Sequence, residues 1–303
     1  MHHNIYIEEQ GLRDGLQTVS HIFSTEQKLI WTRDLIEAGV KRIQIGSFVH
    51  KGKIPAMADT DDLFLRSTHE QQQVLISGLA LNKKGLERAI HCGAKYLSIS
   101  LSASETHSLK NTGKTIEQAK EEIKEMIVLA KEKNIKVRSG IQCAFGCRFE
   151  GKISENVVLD LAEYLISCGA DELFLADSTG MAHPVQVDRM IKQVISIAGN
   201  IPIGLHLHNT ENKGYANLYA GLHAGVTIID TAFGGLGGCP FIKGATGNIA
   251  TEDVVHMLDQ MGVDTGIDMY KIAKISLEIE KVLGYPLPGL MYKMIQNKTI
   301  ALI

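Results

Sequence analysis

Two histidines stand on alternate positions of a short apolar run, IGLHLHN, at residues 203–209. Successive side chains of a β-strand face opposite sides, so a strand here points His206 and His208 to the same side. Imidazole nitrogens on one face can bind a metal ion, and carboxylate or amide oxygens beside them would complete a mixed ligand set. The alternative is a pair of core or surface histidines, because the motif is short.

The elements that position these histidines repeat along the chain. The same pattern occurs four times: a helix ends, a glycine suited to a left-handed cap follows, and a strand begins. The glycines are Gly39, Gly93, Gly169 and Gly225. Apolar alternation predicts strands at about 4–9, 42–48, 74–80, 96–101, 136–143, 172–177, 202–208 and 227–232.

This alternation of strands and helices predicts an α/β fold, a (β/α)8 TIM barrel. We expect one domain over 1–303, with the barrel at about 1–265 and a C-terminal helical extension, beginning with an extra helix at 268–284, over about 266–303. An open doubly wound sheet would need a glycine-rich phosphate turn after its first strand, and EEQGLRDGLQ is not one.

In such a barrel the active site lies at the carboxyl ends of the strands. Strands seven, eight and one become neighbours on closure, so the loops at 11–17 and 233–248 reach the same mouth as the histidines. These loops supply Asp14 and Asn248 as further oxygen ligands. Because the chain has no paired cysteine motif that would provide thiolate ligands, Mg²⁺ or Mn²⁺ is favoured over a structural zinc. The predicted metal ligands are Asp14, His206, His208 and Asn248.

Three further residues at the mouth could take part in chemistry. Arg13 precedes Asp14, and the alternative for this pair is an adjacent ion pair or a turn cap. Asp177 ends the sixth strand in FLADSTG and could handle a proton or merely cap the next turn. Cys239 lies among closely spaced glycines that suit a mobile flap, although a glycine-rich connection with a chance cysteine is equally open.

Composition and charge narrow the class of partner. The chain has 303 residues and a net charge of -3, which provides no basic surface for nucleic acid or an anionic membrane. No apolar run approaches the roughly 20 residues that span a bilayer, and the first residues lack a secretory pattern, so we expect a cytoplasmic protein with a small-molecule substrate. The five cysteines form no zinc-finger pairing, and we expect free thiols.

Several motifs together resemble the 3-hydroxy-3-methylglutaryl-CoA lyase family of metal-dependent TIM-barrel lyases. They are GLRDGLQ, SFV (47–49), GCRFEGKIS (146–154), ADSTG (176–180), HLHNT (206–210) and GLGGCPFIKGATGNIATED (235–253). The resemblance covers nearly the whole chain. It implies carbon–carbon cleavage of an acyl-CoA to acetyl-CoA and a 3-oxo acid, with an Mg²⁺ or Mn²⁺ cofactor, and it suggests a homodimer.

Carried to these positions, the resemblance implies a role for each candidate residue. Asp14, His206, His208 and Asn248 would form the metal site, and His206 also belongs to the catalytic set. Arg13 would stabilise the enolate oxygen, Asp177 would take part in proton handling, and Cys239 would be the reactive thiol of the flap.

The sequence departs from the family pattern on the substrate side. Leu12 and Thr18 replace the proline and asparagine of the family's G-P-R-D-G-L-Q-N turn, and Ala56 stands where glutamine is common. Gln44 replaces a usual acidic residue, and we expect it to end strand two and point toward the mouth near Arg13. From the resemblance and these departures we expect the substrate to be 3-hydroxy-3-methylglutaryl-CoA or a close 3-hydroxyacyl-CoA analogue.

Two other interpretations stay open. One is an aldolase or acyltransferase of the same barrel group that uses a 2-oxo acid, although the flap motif speaks against it. The other is a non-catalytic protein that binds a metal or an acyl-CoA.

Overall fold

A computed structural model describes residues 5–238 and 247–297, and within these residues eight parallel strands close into a barrel in chain order. The strands are β1 (Tyr6–Glu9), β2 (Arg42–Ser47), β3 (Leu75–Leu79), β4 (Tyr96–Ser102), β5 (Lys136–Gln142), β6 (Glu172–Asp177), β7 (Ile203–Leu207) and β8 (Ile228–Thr231). Each lies within two residues of the strand expected from apolar alternation. The predicted TIM barrel is confirmed.

Helices follow the strands around the outside of the barrel. They are α1 (Thr25–Glu37), α2 (Thr60–Arg66), α3 (Glu70–Gln73), α4 (Lys83–His91), α5 (Glu105–Thr112), α6 (Ile116–Glu132), α7 (Glu155–Ser167), α8 (Pro184–Ala198), α9 (Gly214–Ala224), α10 (Thr251–Gln260), α11 (Met269–Leu283) and α12 (Met291–Gln296). Helix α11 is the expected extra helix beyond the barrel. None of the helices in the described ranges is long and apolar enough to cross a membrane.

Local sequence signals explain where several helices begin and end. Ser24 caps α1, since its hydroxyl accepts a hydrogen bond from the amide of Gln27 at 3.2 Å. After α1 the chain turns at Gly39, whose φ of +95° and close approach to the carbonyl of Gly266 leave no room for a side chain. Helix and strand are therefore joined as the helix–glycine–strand pattern predicts.

The interior of the barrel is polar below the mouth. The Arg42 guanidinium donates to Glu8 at 2.9 Å and to Glu172 at 2.6 Å. Arg138 donates two hydrogen bonds to Asp230, at 2.8 and 3.1 Å. Paired and hydrogen-bonded charges of this kind satisfy one another in a buried setting. Most of the apolar core therefore lies between the strands and the surrounding helices.

Candidate active site

The turn after β1 is a single π-helical turn, Gly11–Gly15. The amides of Arg13, Asp14 and Gly15 all donate to the carbonyl of Gln10, at 3.0, 2.8 and 3.2 Å. Turns of π-helix are rare in proteins, and many of those that exist lie at functional sites. This one presents Arg13 and Asp14 at the carboxyl end of the barrel.

Glu9 joins this turn to the loop that follows β8. Its Oε1 accepts hydrogen bonds from the amides of Gly11 at 2.6 Å and Phe233 at 3.0 Å. Its Oε2 accepts from the hydroxyl of Thr251. Burial raises the pKa of Glu9 to about 8, against the opposing effect of these hydrogen bonds. One buried carboxyl group therefore fixes the relative positions of two loops at the mouth.

Asp14, His206 and His208 form a buried cluster in which one potential ligand atom from each residue lies within 4.8 Å of the others. The two Nε2 atoms are 3.1 Å apart, and His208 Nε2 lies 3.5 Å from Asp14 Oδ2. Two atoms bound at right angles to one ion at about 2.1 Å would be about 3.0 Å apart. The spacing of the imidazole nitrogens therefore fits a shared divalent ion.

Asp230, the in-register neighbour of His206 on β8, orients the imidazole of His206. Its Oδ2 lies 3.2 Å from His206 Nδ1, and Arg138 binds the same carboxylate. Burial opposes ionisation of Asp230, but the charge of Arg138 and the contact with His206 keep its pKa below the ordinary value. An ionised carboxylate accepts hydrogen bonds only, so Nδ1 carries the proton and Nε2 keeps its lone pair for a ligand.

Asn248 reaches the cluster because residues 247–249 lie against the end of β7. It forms an antiparallel bridge with His208, and the amide of Asn209 donates to the carbonyl of Gly247 at 2.9 Å. Asn248 Nδ2 donates to Asp14 Oδ2 at 2.8 Å and to the carbonyl of Leu236 at 2.9 Å. Both partners only accept, which fixes the orientation of the amide.

The amide oxygen of Asn248 then faces no hydrogen-bond partner among the described residues, although it is buried. Such groups are rare and call for an unseen partner. Oxygen is the ligand atom that Mg²⁺ and Mn²⁺ prefer. The donor set of Asp14, His206, His208 and Asn248 therefore fits a divalent cation of this kind.

Arg13 is held on three sides. Its Nε donates to Gln44 Oε1, Nη1 donates to Asp14 Oδ1 at 2.5 Å, and Nη2 donates to Gln10 Oε1 at 3.1 Å. Burial opposes ionisation of Asp14, but the Arg13 charge and a hydrogen bond with His208 hold the pKa of Asp14 well below its usual range. The guanidinium thus has a fixed direction beside an ionised carboxylate.

Gln44 lies beside Arg13 as expected, but the expectation that it ends strand two is wrong. It is the third residue of β2, which continues to Ser47 after a shift of register between Gln44 and Gly46. Its Nε2 contacts Ser77 Oγ at 3.4 Å, and Ser77 donates to Glu8 at 3.0 Å. Gln44 therefore links Arg13 to the charged cluster deeper in the barrel.

Asp177 makes the contacts of the turn-capping alternative. Its two carboxylate oxygens accept from the amides of Met181 at 3.0 Å and Ala182 at 3.1 Å. Burial raises the pKa of Asp177 to about 6, because its effect exceeds the opposing effects of these hydrogen bonds and of the charge of His208.

Cys239 lies outside the described residues. Cys92, Cys143, Cys147 and Cys168 are free thiols, as expected from the sequence.

Two cavities open beside the cluster. A cavity of about 140 Å³ is lined by Arg13, Asp14, His206, His208, Phe174 and residues of neighbouring strands. A larger cavity of about 750 Å³ adjoins it and shares Gln17, Ile54, Asn111 and Gly238 with it. Asp14, His206 and His208 therefore face a small chamber that continues into a wider one.

Comparison with known proteins identifies the family. The HMGL-like family model matches residues 4–279. The chain belongs to the HMGL-like family. It is 36% identical to hydroxymethylglutaryl-CoA lyase YngG of Bacillus subtilis, covering 94% of this chain and 95% of the relative. It is also 36% identical to (R)-citramalyl-CoA lyase of Chloroflexus aurantiacus, covering 95% of this chain and 94% of that protein.

A solved structure supports the same assignment. An HMG-CoA lyase from Acinetobacter baumannii, in complex with coenzyme A and 3-methylmalate, superimposes with a TM-score of 0.93 at 36% identity. The alignment covers 99% of this chain and 98% of that one. This HMGL-like protein is thus an enzyme of a family whose named relatives are carbon–carbon lyases.

Sequence reasoning about this HMGL-like protein missed the residues that support the site. Asp230 orients His206, Gln10 holds Arg13, and Glu9 joins two loops. The available signal was an ionisable residue inside an otherwise apolar strand, as in TIIDTA at 227–232. A charge there requires a partner, because burying it unpaired is costly.

Proposed function

We propose that the protein is a divalent-metal-dependent lyase that cleaves 3-hydroxy-3-methylglutaryl-CoA, or a close 3-hydroxyacyl-CoA analogue, to acetyl-CoA and a 3-oxo acid. The observation that carries this proposal is the convergence of Asp14, His206 and His208 with the unpartnered oxygen of Asn248. Arg13 lies beside them with its direction fixed. Arg13, Asp14 and the two histidines line a chamber that suits the acyl end of a substrate.

The reaction breaks the bond between C2 and C3 of the acyl group. The C3 hydroxyl loses its proton and becomes the carbonyl of the 3-oxo acid, while the bonding electrons move to C2 and leave an enolate of the acetyl thioester. Protonation of C2 then gives acetyl-CoA. A bound divalent cation supplies Lewis-acid polarisation of substrate oxygens at such a site.

Each candidate residue has a role in this scheme. Asp14, His206, His208 and Asn248 would hold the cation, and His206 would stay correctly oriented through Asp230. Arg13 would stabilise the negative charge on the thioester oxygen, because a preorganised guanidinium interacts with developing charge at little reorganisation cost.

The two remaining candidates handle protons in the proposal. Asp177 would take part in proton transfer at the mouth, which requires that its carboxylate exchange the amide contacts of the 178–182 turn for another partner. Cys239 would protonate C2 from the flap, as the resemblance of its motif implies.

The two cavities suggest how an acyl-CoA would lie. The acyl group would occupy the chamber of about 140 Å³, and the rest of coenzyme A would leave through the adjoining space of about 750 Å³. The Acinetobacter relative, solved with coenzyme A, supports an acyl-CoA substrate.

We also propose that the protein is a cytoplasmic homodimer. Light scattering would test the oligomeric state, and cell fractionation would test the location.

A second candidate substrate is a shorter acyl group. The Chloroflexus relative is named for citramalyl-CoA and is as similar as the Bacillus lyase. Citramalyl-CoA is one methylene shorter than 3-hydroxy-3-methylglutaryl-CoA. Gln44 in place of an acidic residue beside Arg13 is the specific feature that keeps this substrate in consideration.

One experiment tests the proposal. Purified protein with Mg²⁺ or Mn²⁺ is incubated with 3-hydroxy-3-methylglutaryl-CoA, citramalyl-CoA and related 3-hydroxyacyl-CoA esters, and the release of acetyl-CoA is measured. We expect cleavage of at least one ester, loss of cleavage with chelator and in His206→Ala, and recovery on addition of metal. If none of the esters is cleaved, the proposal is refuted and a non-catalytic binding protein is favoured.

A further inference from the structure

One large apolar side chain crosses the polar interior of the barrel. Phe174 lies on β6, is 7% exposed and lines the cavity of about 140 Å³. Strand register places it between Gly140 of β5 and Gly204 of β7. Because in-register residues of a barrel point to the same side, the two glycines leave this level of the interior to the phenylalanine ring.

The ring fills the space that a side chain at position 140 would need. A Cβ on Gly140 would lie 2.0 Å from the Cζ of Phe174, far inside van der Waals contact. A Cβ on Gly204 would in turn lie 2.4 Å from Nη2 of Arg138. The two glycines are therefore what allows an aromatic ring and a guanidinium to occupy the same region.

Arg138 holds the ring in place. Its guanidinium carbon lies 4.5 Å from the ring centroid, a distance at which a cation–π interaction is favourable. The same guanidinium is fully buried and bound by Asp230. Arg138 does not line the cavity in the described part of the chain, whereas Phe174 does. The ring therefore separates the charged cluster from the cavity.

We propose that Phe174 is the floor of the acyl pocket and sets the size of the alkyl group that the enzyme accepts at C3. This inference rests on the proposed lyase function. Arg13, which would bind the thioester oxygen, lines the same cavity as His206 and His208, which would hold the cation. The ring of Phe174 offers an apolar face to the part of the substrate that has no oxygen, its C3 alkyl substituent.

A substrate series tests the size limit. The value of kcat/KM is measured for 3-hydroxyglutaryl-CoA esters that carry methyl, ethyl or propyl at C3, with wild type, Phe174→Ala and Phe174→Leu. One methylene in an apolar pocket changes kcat/KM by about tenfold or more. We expect Phe174→Ala to shift the propyl-to-methyl ratio by about tenfold or more toward propyl, and Phe174→Leu to shift it less.

A matched control separates pocket size from general loosening of the fold. Phe64 is fully buried and packs on Phe48 with ring centroids 4.9 Å apart, and it does not line the cavity. Phe64→Leu should therefore leave the propyl-to-methyl ratio unchanged. Phe174→Leu keeps an apolar cover over Arg138, so it provides the test if Phe174→Ala does not fold.

A second measurement reports the position of the ring without turnover. Gly140→Ala should lower the melting temperature in the wild-type background and cost much less in Phe174→Ala, because the clash is then removed. Equal losses in both backgrounds would overturn the proposed placement.

The outcomes separate this inference from the proposed function. Cleavage by wild type with the same propyl-to-methyl ratio in both Phe174 variants would overturn the inference alone. Failure of wild type to cleave any 3-hydroxyacyl-CoA ester would overturn the proposed function and this inference with it.

Discussion

Gln44→Glu restores a carboxylate beside Arg13 and tests what the amide does there. The amide oxygen now accepts the Nε hydrogen of Arg13, and the side chain is fully buried. A carboxylate at the same place would form an ion pair with the guanidinium and hold it more firmly. We expect turnover of 3-hydroxy-3-methylglutaryl-CoA to be slow in wild type and faster in the variant.

The magnitude follows from the strength of the bond. The bond from Arg13 to Gln44 already has a charged donor. Hydrogen bonds that involve charged groups contribute about 1.5–3 kcal/mol, so a second charge adds at most the width of this range, about 1.5 kcal/mol, if it is realised in the transition state. That energy corresponds to about tenfold in rate. The main opposing contributions are the burial of the new carboxylate, since the side chain at position 44 is fully buried, and its repulsion from Asp14, which binds the same guanidinium. The tenfold figure is therefore an upper limit.

The assay compares kcat/KM of wild type and Gln44→Glu on 3-hydroxy-3-methylglutaryl-CoA and citramalyl-CoA. A rise on the first ester supports a weakened grip on Arg13, and a fall on the second identifies Gln44 as an adaptation to a shorter acyl group. Gln142→Glu is the matched control, because Gln142 lines the same cavity but contacts Ser100 rather than Arg13. Unchanged kcat/KM on both esters, or an equal rise in Gln142→Glu, would refute the reasoning.

Three further changes have defined outcomes. Asp230→Asn should weaken Mn²⁺ binding by about 10- to 100-fold, since the anion that orients His206 is lost, and undiminished affinity in a titration would contradict that role. Burial raises the pKa of Glu9 from 4.5 to about 8, so its contribution to stability is lost as pH rises from about 4.5 through 8. In Glu9→Gln the melting temperature should therefore fall less over this range than in wild type. The control is Glu132→Gln at an exposed position, which should behave as wild type. Alkylation should label Cys239 faster than Cys92 or Cys168, with substrate protecting it, and full activity of Cys239→Ala would exclude the proton-donor role.

The fold was predictable because it depends on pattern. Apolar alternation located each strand within two residues, and a glycine after each of four helices marked the turn into the next strand. Barrel closure then brought the loops after β1, β7 and β8 together without any knowledge of side-chain contacts. The proximity of Asp14 to His206 and His208 follows from that closure.

Details that depend on register and local geometry were not predictable. The π-helical turn at Gly11–Gly15 has no sequence signature that separates it from an ordinary loop. The pairing of β2 with β3 is irregular between Gln44 and Gly46, a shift of register that apolar alternation does not reveal. The contact between Asp230 and His206 requires the register of β7 with β8, which the sequence of either strand alone does not specify.

Titration of metal-free protein with Mn²⁺ tests the central claim most directly. With wild type, His206→Ala and His208→Ala measured side by side, we predict one site per chain in wild type and a dissociation constant raised at least 100-fold in each variant, while circular dichroism shows the fold unchanged. Equal Mn²⁺ affinity in wild type and both histidine variants would contradict the metal site and the reaction built on it.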